Sequence, residues 1–194
     1  MKKRILLPVL SGLVFQAQAA TIYPGAILGR DLFVKGAGWL GHVGIATADI
    51  VEAAATHVIE VLNETEVIQY NPIHSFLRRS RYWGSRSGLP VSKHTVAYAL
   101  QEANTQRVMK CLNYTAKPVF VLGQGYWRGP GVYKCTMAGL TRCDTFLRYI
   151  FAKVGVNISY TPPLLPTSLF RGVPIGNQDG PYAMRESGGE TEGK

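Results

Sequence analysis

The segment "TRCDTFLRYIFAKVGV" (Thr141–Val156) limits this chain more than any other. Cys143, Phe146, Leu147, Ile150, Phe151 and Val154 fall at offsets of 3, 4, 7, 8 and 11, the spacing of one helical face. Thr141 and Asp144 make a Thr-x-x-Asp pattern, which predicts Thr141 as the N-cap. Lys153 and then Gly155 mark the helix end. A helix with one wide apolar face must lie on something, so the rest of the chain has to supply a surface for it. Cys143 stands in its first turn, on the face that packs. Unpaired backbone N–H groups and the positive helix end favour an anion at that place. Arg142 adds a positive neighbour. The thiolate is the reactive form of cysteine, so Cys143 is a candidate nucleophile. A small buried side chain opening a core helix is the plain alternative.

The start of the chain reads as a leader. "MKKR" is a basic n-region, "ILLPVLSGLVF" is an 11-residue apolar run, and Ala17-Gln18-Ala19 fits a small-x-small cleavage site. That run is too short to span a bilayer, and no later stretch approaches the ~18 residues needed. The expectation is a signal peptide over 1–19, cleavage after Ala19, and a periplasmic or secreted protein. One domain is expected over 20–175, with a flexible C-terminal tail over 176–194. Formal net charge is +9, or +6 without Lys2, Lys3 and Arg4. A basic exported protein suits anionic wall polymers or lipid headgroups. The basic and aromatic run "FLRRSRYWGSR" is too short for a nucleic-acid interface. Arg78, Arg79 and Arg81 read as the solvated face of a short helix.

Three cysteines, Cys111, Cys135 and Cys143, leave one odd thiol. If Cys143 is free, the pair is Cys111–Cys135, although spacing does not fix the connectivity. No histidine pair has metal-ligand spacing and no Cys-x-x-Cys occurs, so neither metal nor cofactor is expected.

A nucleophile needs a base. His74 and His94 sit in polar helix or turn settings. His42 lies in "GWLGHVGIA", between glycines and ahead of a strand. Gly38, Gly41 and Gly44 leave room for a close neighbour. "HVIEVLN" and "EVIQY" read as a β-hairpin, and Glu60 interrupts the apolar side of its first strand. A buried carboxylate there needs a cationic or donor partner, and an imidazole fits. Glu52, His57 and Asn63 are the other residues placed to orient His42.

Further elements are expected as a strand at Asp31–Val34, a short helix near Pro72–Ser80 and a break at "YWGSRSG". A long helix over Lys93–Leu112 has a stripe of Val96, Leu100, Ala103, Val108 and Cys111. "KPVFVLGQGYW" starts as a strand and ends in a glycine-rich loop, which runs on through "GPGVYKCTMAGLT". Tyr126, Trp127 and Tyr133 belong to that loop, where they flank a groove or pack locally. "TPPLLPTSLF" forms either a hydrophobic lip or core packing, with packing favoured.

"GRDLFV", the glycine-flanked "HVGIA", "VIEVLN" and "CDTFLRYIFAKVGV" together resemble the circularly permuted NlpC-like, papain-fold hydrolases. The branch is that of the bacterial YaeF/YiiX-type proteins, distant relatives of lecithin retinol acyltransferase. The resemblance covers roughly residues 24–160. In that branch the histidine precedes the cysteine, the order of His42, Glu60 and Cys143 here. Arg30, inside "GRDLFV", and the long "DIVEAAAT" connection depart from the family pattern. The resemblance implies an α+β, papain-like fold in which a small antiparallel sheet packs against the cysteine helix. It also implies a cysteine hydrolase with catalytic Cys143, His42 and Glu60, and the backbone N–H of Cys143 as an oxyanion donor. The substrate class is cell-wall (peptidoglycan) peptide amides. Acyl ester or thioester lipids, by hydrolysis or acyl transfer, are the first alternative. An inactive wall-binding module of the same fold is the second.

Overall fold

The computed structural model describes residues 22–48, 54–86, 92–158 and 165–170. The expected leader 1–19, the tail 176–194 and Glu52 lie outside the described residues. The elements, in chain order, are β1 (Ile27–Arg30), β2 (His42–Thr47), β3 (His57–Val61), β4 (Ile68–Pro72), α1 (Ile73–Arg79), β5 (Tyr82–Arg86) and α2 (Lys93–Met109). Then come β6 (Leu112–Tyr114), β7 (Gln124–Gly129), β8 (Val132–Met137), β9 (Gly139–Thr141) and α3 (Cys143–Lys153). Short 3-10 turns occupy Gly38–Leu40 and Pro166–Phe170. The protein is α+β. Among the described residues, a five-stranded antiparallel sheet ordered β4-β3-β2-β1-β5 stands with three α-helices and two smaller two-stranded pairings, β6-β9 and β7-β8.

The sheet is covered on both faces. Alternation along the strands sends Ile27, Val43, Ile45, Ile59 and Val61 to one side, where Phe146, Leu147, Ile150 and Phe151 of α3 meet them. Leu28, Ala46 and Val58 point to the other side, against Phe76 and Leu77 of α1. β2 is therefore buried along its whole length. The apolar face of α3 found its surface in the α3 side of this sheet, as its spacing requires.

The β3–β4 hairpin forms as its alternation predicts, with Val61 opposite Ile68. Several other expectations move. The first strand is Ile27–Arg30, not Asp31–Val34. Phe33 and Val34 are exposed, and Asp31 instead accepts a hydrogen bond from Trp83 Nε1 at 2.7 Å. "YWGSR" is no mere break but β5, paired with β1. α2 stops at Met109, with Lys110 in the left-handed region at φ 49°, so Cys111 lies beyond the helix. Its buried positions are Ala99, Ala103 and Gln106, and Leu100 packs at the core margin. The expected loop across residues 123–139 is the β7–β8 hairpin followed by β9. The start of α3 also shifts. β9 pairs in parallel with β6 through Thr141, so the chain stays extended there and Arg142 becomes the N-cap. The hydroxyl of Thr145, not Asp144, accepts the Arg142 backbone N–H at 3.0 Å. At the other end Gly155 takes φ 78° and Val156 N–H closes on Phe151 O at 2.9 Å, the glycine stop read from the sequence.

Cys111 and Cys135 form a disulfide that ties the end of α2 to β8, and Cys143 is free. No helix among the described residues is long and apolar enough to cross a membrane.

Candidate active site

The first two residues of β2 carry the candidate site on opposite faces of the strand: His42 turns to the α1 side, and Val43 meets Cys143 on the α3 side. β3 pairs with β2 only from Gly44, opposite Glu60, so His42 and Val43 extend past their neighbour. Both flanking glycines there are sterically required. A Cβ on Gly41, at φ 77°, would stand 1.9 Å from the Trp83 indole, and one on Gly44 would stand 2.5 Å from Val58 Cγ1. Gly38 has looser surroundings, with Asp31 Cβ at 3.5 Å.

His42 shares strand parity with Gly44 and Ala46, and its ring lies on the α1 side, 5.8 Å from the ring of Phe76. Its Nε2 is 2.7 Å from Glu60 Oε2. Glu60 also accepts from Arg30 Nη2 at 3.2 Å and from Asn71 Nδ2 at 2.8 Å. Burial alone would push the Glu60 carboxyl up. The hydrogen bonds from His42 and Asn71 and the charge of Arg30 outweigh it and hold the carboxyl at about 2. Glu60 is thus ionised and accepts only, which makes Nε2 the protonated nitrogen of His42. Burial pushes the His42 pKa below its ordinary value, so the ring is neutral at pH 7 and its basic lone pair is on Nδ1.

Among the other residues considered for orienting His42, His57 stacks on Tyr70 and bonds Thr56 Oγ1, and Asn63 is exposed. His74 and His94 are exposed.

Arg30 is the residue that sequence reasoning passed over. Its guanidinium is buried, caps the Glu60 carboxylate, reaches Ser80 Oγ at 3.3 Å and lies 4.9 Å over the Phe76 ring. Arginine in a glycine-rich opening reads as solvated. The usable signal was the pair of charges itself, since Glu60 on an apolar strand calls for a cation. Asn71, opposite Val58 on β4, had no signal beyond its place in the hairpin.

Cys143 approaches from the α3 side. Its thiol receives the backbone N–H groups of Val43 and Asp144, so it sits beside the residue that follows His42. These two donors are arranged to stabilise a charged sulfur. The expected help from Arg142 is redirected, because its guanidinium grips Asp144 through two hydrogen bonds of 2.6 and 2.7 Å and also bonds Ala116 O. Burial, aided by the Asp144 charge, pushes the Cys143 thiol up to about 12. In this closed arrangement it is a neutral thiol. No hydrogen bond joins it to His42 among the described residues. Cys143, His42, Glu60 and Arg30 expose only 4, 2, 2 and 1% of their surfaces. Leu169, in the 3-10 turn Pro166–Phe170, belongs to the α3-side core, and Thr167 Cγ2 stands against Gly41. That part of "TPPLLPTSLF" therefore packs inward.

Tyr126 and Trp127 are half exposed on β7, with Trp127 edge-on to Tyr133 at 5.2 Å. No group of three or more His, Cys, Asp or Glu side chains able to hold a metal occurs among the described residues. No family model, curated protein or solved structure matches this chain.

Proposed function

We propose that this protein is an exported cysteine hydrolase of the permuted NlpC-like, papain-fold type, with Cys143 as nucleophile, His42 as base and Glu60 as the group that orients it. The observation that carries this reading is the buried pair of His42 and ionised Glu60, which fixes the proton on Nε2 and leaves Nδ1 basic. The pair stands on the α1 side at the start of β2, where β3 leaves it uncovered, and the one free cysteine meets the next residue, Val43, from the α3 side. The disulfide uses the other two cysteines, which favours an enzyme over an inactive wall-binding module.

The chemistry follows from the protonation states. Nδ1 takes the thiol proton as Sγ attacks the substrate's carbonyl carbon. The imidazolium, stabilised by Glu60, then returns that proton to the leaving amine. Water, deprotonated by Nδ1, attacks the thioester and frees the acid and the thiol. The thiol enters this step neutral, so His42 acts as a general base and not as half of a resting ion pair. The backbone N–H of Cys143 is an oxyanion donor in this reading. The reaction requires the start of β2, which β3 leaves unpaired, to turn so that Nδ1 moves from the α1 side to meet Sγ on the α3 side, with substrate displacing the packing around Gly41.

The substrate class is cell-wall peptide amides, consistent with the basic charge and the leader-like first 19 residues. Acyl ester or thioester lipids form the second reading, favoured by the exposed aromatic hairpin that precedes α3 in the chain. Incubation with peptidoglycan fragments and with acyl ester and thioester lipids separates the two readings by product. Cys143→Ala is expected to abolish turnover while the thermal melt stays near that of the parent. Undiminished turnover in that variant would overturn the mechanism.

A further inference from the structure

We infer that the β7–β8 hairpin is a docking element for an anionic lipid surface. This inference stands independently of the hydrolase reading. Every residue of β7 from Gln124 to Arg128 is exposed, and Val132, Lys134, Thr136 and Met137 of β8 are exposed as well. Tyr126, Trp127, Val132 and Met137 each show about half of their surface (49, 50, 56 and 50%). A two-stranded ribbon with bare apolar groups along it is poorly suited to water alone. The ribbon is nevertheless held in place, because the Cys111–Cys135 disulfide clamps β8 to the end of α2.

The side chains on it are those of a membrane interface. Tyrosine and tryptophan present an apolar ring with a polar tip, and both favour headgroup depth. Tyr126 lies opposite Lys134, whose Nζ is 6.0 Å from the tyrosine ring, and Trp127 lies opposite Tyr133. The charges are of one sign. No Asp or Glu occurs between Glu102 and Asp144. Of the six cations in that span, Arg107 is bonded to Asn104 and lies over the Tyr70 ring, Lys110 is bonded to Glu66 and Arg142 to Asp144. Lys117, Arg128 and Lys134 have no ion pair among the described residues. Cations interleaved with interfacial aromatics match a surface that is both anionic and penetrable. A purely ionic polymer would use the cations and leave the rings in water.

The test is co-sedimentation of the full chain with vesicles of equimolar phosphatidylglycerol and phosphatidylcholine, with phosphatidylcholine vesicles and soluble dextran sulfate as comparisons. The expected result is binding to the anionic vesicles that salt weakens, with little binding to neutral ones. Tyr126→Ala with Trp127→Ala, and separately Arg128→Glu with Lys134→Glu, should each lower the vesicle partition coefficient by about tenfold or more. Both pairs of sites are exposed, and unchanged melting curves would show that the fold is kept. Absent binding to anionic vesicles would overturn the inference. So would binding that survives loss of both rings, or equal retention by dextran sulfate with no dependence on them, which would assign the hairpin to a soluble polyanion.

Discussion

Glu60 collects three donors in a dry place: Nε2 of His42, a guanidinium nitrogen of Arg30 and the amide of Asn71. Its charge is what makes the other groups behave. It keeps one tautomer on His42 and gives the buried Arg30 its counter-ion. Glu60→Gln removes that charge while preserving the shape. Arg30 is then left uncompensated in the interior, and a loss of about 3–5 kcal/mol in unfolding free energy is expected from denaturant titration. An unchanged midpoint would mean that the Arg30–Glu60 contact contributes little to the fold. His42 and Glu60 were legible in the sequence because each was polar where the pattern demanded apolar or extended chain. Arg30 was not, since a cation beside glycines gives no sign of burial until its strand is placed. Cys143 was legible by position, but its protonation state was not. Arg142, a free charge as far as the sequence shows, is bound to Asp144 in the structure.

At the scale of elements, strong periodicity carried through and weak periodicity did not. α3 follows from spacing alone, because it has one buried and one different face, and the β3–β4 hairpin follows from its apolar runs on either side of a short turn although β3 is buried on both faces. β7, with no residue fully buried, has no apolar alternation to read, and its glycines pointed to a loop. β6 and β9 are three residues each, held by pairing with one another and not by a face of their own. The same hairpin depends on its covalent tie. The disulfide closes a sequence separation of 24 residues, for which the chain-entropy relation gives about 3.5 kcal/mol. Cys111→Ser with Cys135→Ser is expected to lower unfolding free energy by about that amount. Amide exchange should accelerate mainly over residues 124–137. Uniform acceleration across the five-stranded sheet would contradict a local clamp.

For the whole molecule, buried titratable groups set the response to acid. His42 is depressed by burial, so protonating it disfavours the folded state once pH falls below its unfolded value of about 6.5. Glu60 falls from 4.5 unfolded to about 2 folded. Its stabilisation is complete above 4.5 and is lost as pH drops towards 2, a span worth about 3 kcal/mol. Both act in the same direction. Stability should therefore decline in two stages on acidification, first below pH about 6.5 and more steeply below about 4.5. Melting temperatures in Glu60→Gln should lose the second stage. A parent protein whose melt is flat between pH 7 and 3 would contradict the buried charges assigned here.

The active-site reading joins residues about a hundred positions apart, His42 from an early strand and Cys143 from the last α-helix described. Its most direct test is the rate of Cys143 alkylation by iodoacetamide as a function of pH, in the parent and in His42→Ala, read by peptide mass mapping. The expected result is measurable labelling at neutral pH in the parent and a fall of about a hundredfold or more in the variant, the usual scale of a general base. Identical rates in the two proteins, rising only as pH nears the value of about 12 to which burial and the Asp144 charge push the thiol, would contradict it.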